Sequence, residues 1–557
     1  MIDKQRLYNR MVRMVEAPSI SGTPEEMTAA RRIEELLYEI PYFQEHKDAV
    51  MRVPVKNDPL QRELVAAYLE LAPGCPDTVI LTGHYDVVDV DEFGPLKDIA
   101  FDVEKITEQI GQLHMDDASS KDLESGEWLF GRGTADMKIG HALSLELMQH
   151  YSEAGGIRGN ILYVAVCGEE TNSEGMLEAV PFFNEFAAQH NLHYKVMLLT
   201  ECFMVDKAEE GTMYIQYGGA GKVMPMFFCV GHMTHGEEPF LGLDANLLNA
   251  EVYKRMHLNP DFCQQNHGIT TAPPAGLKLQ DLKTNYSLSS SFYAASYYNI
   301  ATIKMQPEET MEKLLKLAED AFRAVNGTID EKIAGYTDFA GQPPAAYRAE
   351  PCVKTFREIY AAAAKNYDGD LNEYLKSYAQ ELMAVNPEMQ DACVKIVKRL
   401  YEMQDACVKI VKRLYEMQDN KNPMIIVSII PPYYPDVNID PEDADTKKML
   451  KSIDEVIAYA AEKHGEKMAT SEYYGISDLC YTWLADGVNF DGLFENLVGV
   501  NLFYNFPGEE MKKFKVPALV LGAYGKDLHK YTERLHKHYN FDVLPDLYLK
   551  YIDSILK

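Results

Sequence analysis

Seven ionisable residues, spread over more than four hundred positions, carry the chemistry this sequence can do. His84 and Asp86 stand in Thr82-Gly83-His84-Tyr85-Asp86-Val87-Val88, and Asp136 follows Gly131-Arg132-Gly133-Thr134-Ala135. Glu169 and Glu170 are adjacent, while Glu201 and His529 stand alone. Two imidazoles, one candidate bridging carboxylate (Asp136) and two terminal ones (Glu170, Glu201) suit a pair of borderline, zinc-type ions. Two divalent charges balance three carboxylates and one hydroxide, a neutral sum that a buried site tolerates. Taken singly, each motif also has a plain structural reading. A Gly-His-x-Asp, a Glu pair or a late His is often a satisfied structural group, and Asp136, at a glycine-rich turn before a helix, suits a capping role.

Buried strands must position these groups. The apolar run Thr78-Val79-Ile80-Leu81 leads into His84, and 160–167 ends at Gly168-Glu169-Glu170. Val196-Met197-Leu198-Leu199-Thr200 ends at Glu201, and 517–522 ends shortly before His529. Runs of four to eight apolar, β-branched-rich residues suit strands covered on both faces of a parallel sheet. Each delivers its polar side chain at the carboxyl end, the edge where open α/β sheets bind ligands. Charges are costly to bury unless paired or metal-bound, so their convergence calls for a metal centre.

In chain order, the periodicity predicts a helix over 4–16 and a second from a Thr23 cap to about Glu39, with Pro24 in its first turn and Glu26 three residues after the cap. Residues 91–127 read as a polar, irregular surface excursion, and 141–151 as helix. Strands near 160–167 and 194–200 flank a helix near 174–190. Shorter alternating segments (213–219, 222–230, 297–305) with helices near 245–257 and 308–325 suggest a small inserted α+β domain. The stretch 351–420 reads as almost all helix; within it Met389 to Glu402 repeats without change as Met403 to Glu416. That unit is two heptads, so an extra copy lengthens a helix by about 21 Å and turns its apolar face by only about 40°. A recent in-frame duplication or a sequence artefact explains it better than a function. A buried strand at 424–430, a helix near 445–464, the loop Tyr474-Gly475-Ile476-Ser477-Asp478 and the strand before His529 complete the main domain. The expected organisation is a catalytic α/β domain in two parts, 1–215 and 336–557, the second holding the helical insertion at about 351–420. An inserted lid or dimerisation domain spans 216–335.

At 557 residues the chain exceeds a single core. A hydrophobic content of 46% and a charged content of 25% are those of an ordinary globular protein. A formal charge of −31 argues against nucleic acid and anionic membrane surfaces as partners. No apolar run approaches the ~18 residues of a membrane span, and residues 1–20 lack a signal-type core. The nine cysteines show no paired spacing. The expected setting is a reducing cytoplasm.

His84-x-Asp86, Gly131-Arg132-Gly133-x-x-Asp136-Met137-Lys138, Glu169-Glu170, Glu201 and His529 together resemble the di-zinc aminoacylase/carboxypeptidase family, in order and over essentially the whole chain. Trp128 to Thr134, Thr234-His235-x-x-Glu238-Pro239-Phe240 and Gly525-Lys526-Asp527-x-His529-x-x-Thr532-Glu533-Arg534 are similar to its arginine-utilisation members. The resemblance implies a zinc-peptidase-like, mostly parallel sheet with helices on both faces, and two divalent ions per chain, zinc by analogy. His84 and Glu201 would hold one ion, His529 and Glu170 the other, with Asp136 bridging and the Asp136–Met137 bond cis. Glu169 would act as general base and then as proton donor to the leaving amine. Asp86 would fix the tautomer of His84. His235 would stabilise the oxyanion from a second subunit, which makes the enzyme a homodimer through the lid. Relatives hold the substrate carboxylate with a lid arginine. Ala301-Thr302-Ile303-Lys304 takes that place here, and Lys304, Asn285, Ser477 and Asp478 are the candidate substrate-binding residues. The implied reaction is hydrolysis of an amide bond in an N-acyl amino acid or short peptide, with arginine or ornithine catabolism as an analogy only. A di- or aminopeptidase on the same metals, and a non-catalytic metal-binding relative, stay open beside it.

Overall fold

A computed structural model describes residues 2–203, 211–266, 268–383, 392–485, 488–500 and 502–556; the side chains of 382, 383, 392–403, 473 and 474 lie outside that description. The main sheet has eight strands: β1 (Val50–Pro54), β2 (Glu63–Leu69), β3 (Asp77–His84), β4 (Asn160–Val166), β5 (His193–Leu199), β6 (Thr212–Gly219), β7 (Lys467–Tyr474) and β8 (Ala518–Leu521). Their spatial order is β1-β2-β4-β3-β5-β8-β6-β7. The four central strands β4, β3, β5 and β8 run parallel, with Val79 opposite Ile161, Ile80 opposite Met197 and Leu519 opposite Leu198. Every residue of β4 is buried, as the unbroken apolar runs require. Helices Lys4–Val15, Ile139–Ala154, Glu174–His190 and Leu544–Ile555 pack around this sheet in one continuous core. The fold is therefore mixed α/β about a mostly parallel sheet.

A second sheet has the order Ala275–Asp281, Tyr293–Thr302, Pro225–Val230, Met424–Ile429, Val353–Thr355, and the short strand Gly221–Val223 pairs with Tyr293–Thr302. Strand alternation splits its side chains cleanly. Phe227, Cys229, Ile425 and Val427 join the core shared with helices Ala245–Met256 and Pro307–Ala340. Met226, Phe228, Met424 and Ile426 form a separate core with helices Phe356–Asn366, Leu371–Met383 and Ala392–Met417. The sheet is thus covered on both faces.

Several expectations change here. Met424–Ile429 joins the second sheet, antiparallel to Pro225–Val230, rather than returning to the main one. An apolar run signals burial but not which sheet buries it. Residues 91–127 are not irregular: a 3-10 stretch Asp91–Ile99 and helices Val103–Gln109 and Asp117–Ser125 enclose their own apolar cluster of Phe93, Leu96, Ile106, Ile110, Trp128 and Phe130. The helix expected from Thr23 begins at Glu26, whose carboxylate accepts from Gly22 N (2.6 Å) as a capping box would, but also faces Arg62. Met389, Gln390 and Asp391 of the repeat lie outside the described residues; its second copy packs Cys407, Val408, Ile410, Val411 and Leu414 into the insertion's core. Among the described residues no helix is long and apolar enough to cross a membrane, and every described cysteine is a free thiol.

Candidate metal centre

Because β4, β3, β5 and β8 are parallel, their carboxyl ends share one edge. From that edge β3 presents His84, and the segments after β4, β5 and β8 present Glu169-Glu170, Glu201 and His529. Asp136 arrives by another route. A three-stranded sheet of Gly525–Lys526, Arg534–His536 and Trp128–Phe130 ties the His529 loop to the turn Thr134–Lys138. The Asp136–Met137 bond is cis. Met137 lies against Gly83, where a Cβ would stand 2.0 Å from the Met137 methyl, so only glycine admits that approach.

The resulting geometry is twofold about one carboxylate. His84 Nε2 is 3.0 Å from Asp136 Oδ1 and 3.0 Å from Glu201 Oε2. His529 Nε2 is 3.0 Å from Asp136 Oδ2 and 3.1 Å from Glu170 Oε1. Donors bonded at 2.0–2.1 Å to a tetrahedral ion stand about 3.3 Å apart, close to the 3.0–3.1 Å that separates each imidazole nitrogen from its two carboxylates. His84, Asp136 and Glu170 also offer ligand atoms within 4.8 Å of one another. A pair of cations fits the residues present.

Electrostatics supports that fit. Burial would raise Asp136, but hydrogen bonds from His529 and His84 outweigh it and hold the carboxyl well below its usual range. Burial would lower His84, but Glu201 and Asp136 keep it well above an ordinary histidine. Hydrogen bonds to Asp136 and Glu170 push His529 up to about 11. Burial and the Asp136 charge raise Glu201 to about 7 and also raise Glu170. Glu169 is raised well above the usual range, by burial first and then by Asp478 and its carboxylate neighbours. This site carries more negative charge than its own histidines neutralise, and protons or metal ions must supply the balance.

The model of peptidase family M20/M25/M40 matches residues 80–377, over half of the chain. This chain belongs to that family. It is 32% identical to the YqjN protein of Bacillus subtilis (strain 168) over 100% of its length and 97% of that protein's, and 28% identical to protein RocB of the same organism over 96% and 92%. Its fold is similar to that of a tripeptidase from Staphylococcus aureus subsp. aureus Mu50 (TM-score 0.53, 15% identity), covering 100% of this chain and 99% of that one.

Within this M20 member, further buried residues hold the cluster in place. Arg132 donates to Glu533 Oε2 (2.6 Å) and to the His529 carbonyl (2.9 Å), and Glu533 Oε1 accepts from Ala135 N (3.2 Å) and Asp136 N (3.3 Å). One buried ion pair therefore fixes the two loops that meet at Asp136. His141 spans the Tyr163 hydroxyl and the His84 carbonyl, each at 2.7 Å, and burial lowers it to about 3. Arg62, fully buried, pairs with Glu26, Asp58 and Glu174, while Glu26 accepts from Gly168 N (3.1 Å) behind the Glu169 loop. Sequence reasoning quoted Arg132 and Glu533 within motifs but gave them no role. The available signal was that an arginine or glutamate inside an apolar motif needs a partner.

Other candidate residues fall differently. Asp86 reaches His84 Nδ1 through its main-chain carbonyl (2.9 Å), with its carboxylate 3.7 Å away. That carboxylate instead accepts from Ser21 Oγ (2.7 Å) and from Glu169 N and Glu170 N (both 3.2 Å). Asp86 thus orients the glutamate pair with its side chain and the imidazole with its backbone. Asp478 is buried, and burial raises it to about 7 against a hydrogen bond from the Ser173 side chain. Ser477 is buried and caps the following turn through Leu479 N (3.3 Å). Lys304 and Asn285 are exposed, and neither contacts the cluster. His235 makes no hydrogen bond or ion pair with the cluster among the described residues; its side chain is 52% exposed and its Nδ1 accepts from Glu237 N (3.3 Å).

Proposed function

We propose that this M20 protein is a co-catalytic di-zinc hydrolase that cleaves the amide bond of an N-acyl amino acid or short peptide. The observation that carries the reading is Asp136, whose two oxygens lie 3.0 Å from His84 and His529, each of which has its own glutamate at 3.0–3.1 Å. His84 and Glu201 would hold one ion, His529 and Glu170 the other, and Asp136 both. Bound there, two divalent ions supply Lewis acidity and a water acidic enough to attack near neutral pH. Glu169 Oε takes the proton of the attacking water and hands it to the leaving nitrogen. Its raised proton affinity and its tether to Asp86 through its own N–H suit that relay. Asp86 and His141 keep His84 in place, and Arg132 keeps His529 in place.

His235 would complete the centre of a second copy by donating to the oxyanion, so the working unit would be a dimer joined through the second-sheet unit. Its exposure outside its own chain's cluster supports this. A di- or aminopeptidase on the same metals is the second reading, favoured by the buried Asp478 carboxyl, which suits a substrate ammonium. The likeness to RocB directs the first substrate choice toward acylated arginine and ornithine, in a cytoplasmic setting. Elemental analysis should return close to two divalent ions per chain. A panel of N-acetyl and N-succinyl amino acids and dipeptides should then give turnover that dialysis against chelator abolishes. A metal-free protein, or turnover indifferent to chelator, would end the hydrolase reading.

A further inference from the structure

Lys222 is mounted where the two sheets meet. It follows β6 directly, its strand pairs with Tyr293–Thr302, and its N–H and carbonyl exchange hydrogen bonds with Tyr434 at 2.7 and 3.0 Å. A Cβ at Gly221 would stand 2.5 Å from Tyr434 O and Asp436 N, so the backbone is pinned there. The ammonium lies over the Tyr434 ring, 5.1 Å from its centroid, and the Tyr434 hydroxyl is 3.2 Å from Ser173 Oγ, just beyond Glu169-Glu170. The residue is half-buried, and among the described residues its ammonium makes no hydrogen bond and no ion pair. Burial lowers it to about 8, against the opposing charges of Cys480 and Glu169. A partly desolvated cation without an ion-pair partner is costly, and an anion that arrives with the substrate would offset that cost.

We propose that Lys222 binds the free α-carboxylate of the amino acid that leaves from the scissile amide. This rests on the hydrolase reading above, in which Glu169 protonates the leaving nitrogen. An α-carboxylate is one carbon away from that nitrogen, and Tyr434, bonded to Ser173, ties Lys222 to the segment that follows Glu169-Glu170. Lys222 then takes over the task expected of Lys304, which is exposed.

The test compares Lys222→Met and Lys222→Arg with wild type on the N-acetyl amino acid turned over fastest, on its C-terminal carboxamide, and on the N-succinyl analogue, with metal content measured throughout. Loss of one charge-assisted contact should lower kcat/KM for the acid by about 10–100-fold, mostly through KM. The carboxamide, which wild type handles poorly, should change little. Lys222→Arg should recover part of the loss, and all variants should keep the wild-type metal content. Equal losses on acid and carboxamide, no loss on either, or a loss that follows the succinyl carboxylate would overturn the assignment. If wild type hydrolyses nothing in the panel, the hydrolase reading fails separately. Lys222 is then judged by equilibrium binding of free L-amino acids against their carboxamides to the metal-treated protein: wild-type preference for the acid, lost in Lys222→Met, supports it, and equal affinity overturns it.

Discussion

His84 and His529 stand equally close to Asp136, yet the first side chain is 2% exposed and the second 54%. His84 ends a central strand, with Asp86 and His141 hydrogen-bonded to its ring and carbonyl. His529 sits on a loop in the left-handed region (φ 67°), a conformation that persists where neighbours fix it. Here the neighbour is Arg132, 397 residues away. One half of the centre is thus part of the sheet, while the other depends on a clamp. On the proposed reading, the His84 half should bind its ion more tightly and release it last.

Asp136→Ala removes the group common to both halves and should give the largest effect: neither ion retained on gel filtration, and turnover lowered at least about 10⁴-fold, beyond what one acid–base group supplies. Glu169→Gln should separate chemistry from metal binding, with ion content unchanged and kcat down about 10²–10⁴-fold. The contrast between halves is sharpest with His529→Ala, which should keep one ion per chain where His84→Ala keeps none; equal retention would erase the distinction. Arg132→Met should weaken the His529-side ion most, by about 10–100-fold in stepwise chelator titration.

The smallest effect concerns pH. In the metal-free fold Glu201 titrates near 7, against an ordinary 4.5. A raised carboxyl binds a proton that the unfolded chain has already lost, so its stabilising share is full below pH 4.5 and fades as pH rises through 7. The melting temperature of chelator-treated protein should therefore fall between pH 5 and 7.5 from this group. With metal bound, ions replace the proton and that slope should flatten or reverse.

Legibility in the sequence followed the same division. The groups at strand ends were readable because an unbroken apolar run that stops at a charge announces both the strand and the edge where it ends. His84, Glu170, Glu201 and His529 do meet around Asp136. The clamp was not readable: Arg132 and Glu533 are 401 residues apart, and no local period links them. The sheet membership of Met424–Ile429 was hidden for a related reason, since partner choice is a tertiary fact. Asp86 does hold the His84 ring, but the motif fixes the residue and not whether its carboxylate or its carbonyl reaches the ring. Lys304, placed by analogy alone, is exposed within its own chain, and a position inferred that way carries no information on which way the side chain faces.

The slot that β8 fills has a consequence for biosynthesis. A strand made after residue 517 lies between β5 and β6, both complete by residue 219. Until it arrives, the nascent polypeptide carries two facing, unsatisfied backbone rims, the kind of surface that recruits stray strands and chaperones alike. Premature termination upstream of that point would leave an adhesive fragment lacking His529, so cellular quality control has a simple handle for telling unfinished copies from finished ones.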